Sequence, residues 1–130
     1  MVNIQSILHG TVIVADLEVS QQFYCGVLGL SIDSDRPDLG YPGLWLDVGQ
    51  QQIHLMQLPN PDPVDGRPVH GGRDRHIALA VVDLDQLLQR LAAAGIVYSV
   101  SKSGRKAMFC RDPDGNTLEF IQVPLSDHLP

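Results

Sequence analysis

The chain has 130 residues, with 9 Lys and Arg against 15 Asp and Glu, for a formal net charge of −6 at pH 7. A hydrophobic fraction of 44% and a charged fraction of 18% are those of an ordinary globular chain, one that needs no disulfide staples to bury a core. The acidic balance argues against nucleic acid as a main partner, and no run approaches the roughly 20 apolar residues of a membrane span.

The opening residues, Met1-Val2-Asn3-Ile4-Gln5, lack a basic stretch followed by an apolar core, so no signal peptide is expected. Strand one is expected from Leu8 to Val14, a β-branched and apolar run. Asp16 is a good N-cap, and Phe23, Tyr24, Val27 and Leu28 then lie on one face at helical spacing, ending at Gly29. Short strands should follow near 30–33, 44–48 and 51–58. Pro59 to Arg75 holds Pro59, Pro61, Pro63 and Pro68 with Gly66, Gly71 and Gly72, which forbids a helix or an interior strand. This linker reads as a mobile lid or as a connector between modules.

Beyond it, His76 to Val82 reads as a strand. Asp83 and Gln86 form a capping-box pattern, and Leu84, Leu87, Leu88, Leu91 and Ala92 form a buried stripe closed by Gly95. Strands are expected near 97–101, 106–111 and 117–123. The tight turn Asp112-Pro113-Asp114-Gly115-Asn116 marks a hairpin between the last two. Cys25 and Cys110 both sit among apolar residues and read as free thiols of a reducing cytoplasm.

An internal repeat underlies this order. His9, Val14, Asp16 and Leu17 coincide with His76, Val81, Asp83 and Leu84. Ile53-His54-Leu55-Met56-Gln57-Leu58 lies over Leu118-Glu119-Phe120-Ile121-Gln122-Val123, with His54 opposite Glu119. Each copy reads as strand, helix, then three strands: module one at about 6–58 and module two at about 76–124.

Because strands alternate faces, His54 and Glu119 point away from their bulky neighbours. His76 shares its face with the small Ala78 and Ala80, and His9 shares its face with Thr11. Three imidazoles and a carboxylate form a ligand set suited to Zn, Fe, Ni, Co or Mn, and they converge if the two copies pair symmetrically. Around an octahedral ion they would leave two positions for water or substrate. His70, in the linker, and His128, in a polar tail, lack the support of the repeat and read as surface residues.

The chain resembles the vicinal oxygen chelate superfamily, which includes glyoxalase I, fosfomycin-resistance thiol transferases, methylmalonyl-CoA epimerase, extradiol dioxygenases and bleomycin-resistance proteins. The resemblance rests on Asp16-Leu17 through Phe23-Tyr24 to Leu28-Gly29-Leu30, on His76-Ile77-Ala78-Leu79, and on Asp112 through Glu119. It implies an α+β fold of two tandem βαβββ modules whose mixed sheets form a cup around a divalent metal. It assigns His9, His76 and Glu119 as ligands and His54 as the fourth, where glyoxalase I-like members carry Glu or His. Ring-cleaving dioxygenases leave that position without a ligand, so His54 favours a glyoxalase-like lyase or isomerase. Alternatives are an Fe(II) dioxygenase, a metal-dependent thiol transferase and a metal-free drug-binding protein.

Under the leading reading the substrate is a small α-oxo or thiol-conjugated molecule, and the metal stabilises an enediolate. Glu119 is the expected base, alone or with His54 as a labile partner. Arg36, Arg73, Arg75, Arg105 and Lys106 are candidates for a substrate carboxylate, with Arg105-Lys106 foremost. Trp45 and Tyr98 are candidates for the cup wall, while Met56, Met108 and Cys110 read chiefly as core. By resemblance the chain forms a homodimer, and the site lies within one chain or between two.

Overall fold

A computed structural model describes residues 2–125. Module one comprises β1 (His9–Val14), α1 (Leu17–Gln21), β2 (Ser31–Ile32), β3 (Gly43–Val48) and β4 (Gln51–Gln57). Module two comprises β5 (His76–Val81), α2 (Leu84–Ala93), β6 (Tyr98–Val100), β7 (Ala107–Arg111) and β8 (Thr117–Gln122). The sheets have the same topology, β1-β4-β3-β2 and β5-β8-β7-β6, with the first pair parallel and the others antiparallel.

The repeat holds residue by residue. Thr11 pairs with His54 and Ala78 with Glu119, so His54 and Glu119 occupy equivalent positions. Trp45 pairs with His54 as Phe109 pairs with Glu119. The matching glutamines also have a physical reason. Gln57 Oε1 accepts from Leu17 N–H at 2.8 Å, and Gln122 Oε1 from Leu84 N–H at 3.0 Å. Each last strand thus satisfies a first-turn amide that its own helix leaves without a partner.

Asp16 caps α1 through Glu18 and Val19 N–H, and Asp83 caps α2 through Gln86 N–H. The helix after Asp16 is not α-helical throughout. Leu17–Gln21 runs directly into a π-helical turn, Gln22–Val27, in which Leu28 N–H bonds to Phe23 O at 3.0 Å. This five-residue spacing accompanies burial of the adjacent Phe23 and Tyr24 together. Leu84, Leu87 and Leu91 are buried and Leu88 is half-buried, but Ala92 is exposed, because the stripe narrows where α2 ends.

One core serves both modules. Val14, Leu46, Ile53 and Leu55 of the first sheet pack with Met108, Cys110, Leu118 and Phe120 of the second, and both helices add to the cluster. Tyr24 O–H donates to the buried Asp112 across the modules at 2.7 Å. Asn116 Nδ2 donates to Ile13 O, and Ala15 N–H to Asp114. With the bulky strand residues committed to this core, the faces bearing His9, His54, His76 and Glu119 are the opposite ones. Among the described residues no helix is long and apolar enough to cross a membrane.

Candidate functional site

On module one, His9 and His54 stack with ring centroids 3.9 Å apart and planes 12° apart. Trp45 stacks on the other side of His54, at 4.6 Å and 9°. His54 Nε2 lies 2.8 Å from Gln52 Oε1, and Gln52 in turn donates to Asp33 and Asp47. Burial, His9 and Arg36 hold the His54 imidazole below its usual pKa and favour the neutral ring. A neutral ring is the form that ligates metal. Parallel rings aim their lone pairs side by side, so one ring must turn before both can meet one ion.

On module two, His76 Nε2 lies 3.3 Å from Glu119 Oε1, and His76 Nδ1 lies 2.8 Å from Asp74 O. Glu119 is buried at 4% exposure, and its second oxygen meets Arg105 at 3.5 Å. Phe109 stands edge-on to His76 at 5.3 Å. Glu119 thus presents a buried carboxylate between an imidazole and a guanidinium, a residue type that can ligate a cation.

The linker crosses this second face. Gly71 sits so close that a Cβ there would lie 2.7 Å from Thr117 Cγ2 and 2.9 Å from Phe109 Cβ. Asp74 is clamped by Arg67, by Arg111 at 2.8 Å and by Arg75 N–H at 2.9 Å. Arg111 also donates to Pro68 O, Gly115 O and the Thr117 hydroxyl. These contacts tie Arg67, Pro68, Asp74 and Arg75 to the β7–β8 hairpin and to one another. His70 is a correction: it is half-buried, not a surface residue. Its Nδ1 accepts from Gly72 N–H, its ring meets Phe109 edge-on at 5.2 Å, and Nε2 is buried without a hydrogen-bond partner. A Cβ at Gly72 would lie 3.1 Å from this ring, so the glycine leaves it room. His128 lies outside the described residues.

The candidate substrate residues divide. Arg105 reaches Glu119, and Trp45 covers His54. Lys106 turns to Asp85 on α2 at 3.0 Å, and Arg75 pairs with Asp62 at 3.0 Å on the surface. Arg36 donates to Tyr41 O and lies over that ring. Arg73 ends the 3₁₀ turn Gly71–Arg73, and Tyr98 lies on β6. Met108 and Cys110 are core, whereas Met56 is half-buried in a groove beside Thr11. Burial pushes the Cys110 thiol up to about 12, so it is a poor nucleophile.

Four residues of the site went unread in the sequence: Gln52, Asp74, Phe109 and Arg111. Only Phe109 had a signal, its repeat position opposite Trp45.

The candidate ligands thus form two pairs, His9 with His54 and His76 with Glu119. Among the described residues no group of three or more His, Cys, Asp or Glu is gathered closely enough to hold a metal ion. His9 and His76 do line one groove, about 1080 Å³, between the sheets, with Gly10, Ala78 and Ala80 leaving room in it.

Paired βαβββ modules carrying these histidines and this glutamate on their open faces define a class. The chain matches the Glyoxalase/Bleomycin resistance protein/Dioxygenase superfamily over residues 6–120, and it belongs to that family, the vicinal oxygen chelate group. It is 32% identical to the uncharacterized protein YwkD of Bacillus subtilis (strain 168), covering 92% of this chain and 98% of the relative. It is 29% identical to Glyoxylase I 4 of Arabidopsis thaliana, covering 98% of this chain and 75% of the relative. A crystal structure of a Bacillus anthracis protein assigned to the glyoxalase family superposes with a TM-score of 0.79 at 25% identity, over 94% of this chain and 98% of the other.

Proposed function

We propose that the chain is a metal-dependent lyase or isomerase of the glyoxalase type, acting on a small α-oxo or thiol-conjugated substrate. The observation that carries this reading is the equivalence of His54 and Glu119 in the two sheets, each beside the first-strand histidine of its own module. The residue types fit a divalent ion: three imidazoles and one carboxylate, with Glu119 buried and His54 biased to the neutral form. His9, His54, His76 and Glu119 would hold it. A divalent ion there supplies Lewis-acid stabilisation to negative charge developing on vicinal substrate oxygens.

The proton transfer belongs to Glu119. As a ligand that loosens from the ion, its carboxylate would take the proton from the substrate carbon and return it to the neighbouring carbon. Arg105, 3.5 Å away, pairs with the carboxylate in its charged form. Trp45 walls off water above His54 and fixes where a substrate can lie.

We infer that a homodimer completes the set from these two pairs of ligands. In a two-fold assembly, module one of one chain faces module two of its partner, and symmetry makes two equal sites. The unpaired thiols suit a cytoplasmic setting.

Elemental analysis of the purified protein, followed by a hemithioacetal isomerisation assay, tests the reading. Stoichiometric Ni, Co or Zn with isomerase activity supports it. Iron with oxygen consumption on catechols, manganese with thiol transfer, or a metal-free protein that binds drugs would each replace it.

A further inference from the structure

We propose that Asp74 is a positioning residue that sets the tautomer and direction of the His76 ring. This rests on the reading of His76 as a ligand. The His76 Nδ1–H donates to the backbone carbonyl of Asp74 at 2.8 Å, so that the neutral ring carries its lone pair on Nε2. That nitrogen is the one facing Glu119, at 3.3 Å. A carbonyl orients a ring only if it is itself held, and the Asp74 side chain supplies the hold.

Its carboxylate takes both Arg67 contacts, Arg111 Nη1 at 2.8 Å, the Thr117 hydroxyl at 3.3 Å and Arg75 N–H at 2.9 Å. Arg111 closes the clamp onto Pro68 O and Gly115 O at the β7–β8 turn. Thr117 is the register partner of His76, and Glu119 lies two residues along the same face. The clamp therefore ties the end of the linker to the strand that carries Glu119. Fixing the second nitrogen of a metal-directed imidazole is how outer partners raise affinity, and losing one typically costs 10–100-fold. The residue two before His9 is Ile7, exposed at 77%, so module one has no counterpart to this carboxylate.

The test uses proton–nitrogen correlation spectra of the isotope-labelled, metal-free protein, together with Zn²⁺ affinity by competition with a chelator. The wild type is expected to show His76 as the Nδ1–H tautomer. Asp74→Asn is expected to mix the tautomers and weaken Zn²⁺ by about tenfold or more. Asp62→Asn, which removes only the linker's surface pair with Arg75, should leave both readouts unchanged. An Nε2–H tautomer in the wild type overturns the proposal. So does a folded Asp74→Asn protein with unaltered tautomer and affinity, or an Asp62→Asn protein that shifts both equally. Should Asp74→Asn not fold, Arg67→Gln, which leaves Arg111 on the carboxylate, is read in the same way. Absence of Zn²⁺ binding in the wild type would defeat the metal reading, while the spectra would still decide whether Asp74 sets the ring.

Discussion

Module one carries His54 where module two carries Glu119, and Trp45 where module two carries Phe109. The strands, registers and helix caps are shared, yet the two open faces differ. The first is a stack of three rings left open along the groove. The second is a buried carboxylate, Glu119, between His76 and Arg105, beside a linker whose Asp74 is held by Arg67 and Arg111. The two modules share the scaffold that aims the side chains. The two faces differ in a few positions and in what covers them, and under the proposed function the first would bind while the second would bind and move a proton.

The sharpest way to break this comparison is to disable the two halves separately. Glu119→Gln should lower kcat/KM by about 10³, within the range for losing a general base. His54→Ala should leave the fold intact and weaken metal binding, measured by titration against a chelator. Equal losses of turnover at saturating metal would mean that the modules share the base role. Retained full metal affinity in His54→Ala would remove it from the ligand set.

Next in size is the arginine clamp. Hydrogen bonding from Arg67 holds the Asp74 carboxyl well below its usual 3.8. A depressed carboxyl stabilises the fold fully above its unfolded value, and that contribution is lost as pH falls toward the folded one. Denaturant unfolding should therefore show wild-type stability falling below about pH 4, and Asp74→Asn should lose about 2 kcal/mol at neutral pH with a flatter acid limb.

Two glycines sharpen the contrast further. Gly71→Ala drives a Cβ against Phe109 Cβ and Thr117 Cγ2 and should cost about 1–2 kcal/mol while lifting the linker. Gly10→Ala meets only the terminal methyl of Ile77, at 2.8 Å, which can turn aside, so its cost should stay below about 1 kcal/mol. Thermal denaturation of both variants checks the order.

Much of this architecture was legible because its signals are local. Alternation marked β4 and β8, Asp16 and Asp83 marked the helix starts, and Asp112 to Asn116 marked the hairpin. The repeat carried the argument further, by placing His54 opposite Glu119. What stayed hidden depends on distant partners. Asp74 meets Arg111 across 37 residues, so no window of sequence distinguishes a pinned linker from a lid. The π-helical turn after α1 and the inward turn of His70 follow from packing, not propensity.

The measurement closest to the central claim, that two complementary halves from paired chains make one site, is metal stoichiometry after mixing two crippled proteins. One carries His9→Ala and His54→Ala; the other carries His76→Ala and Glu119→Gln. Each alone should bind no metal. After unfolding and co-refolding, a mixed dimer should regain one intact site, with metal and activity returning together. A mixture that stays metal-free while the wild type binds one ion per chain would place the whole site within a single chain and contradict the account.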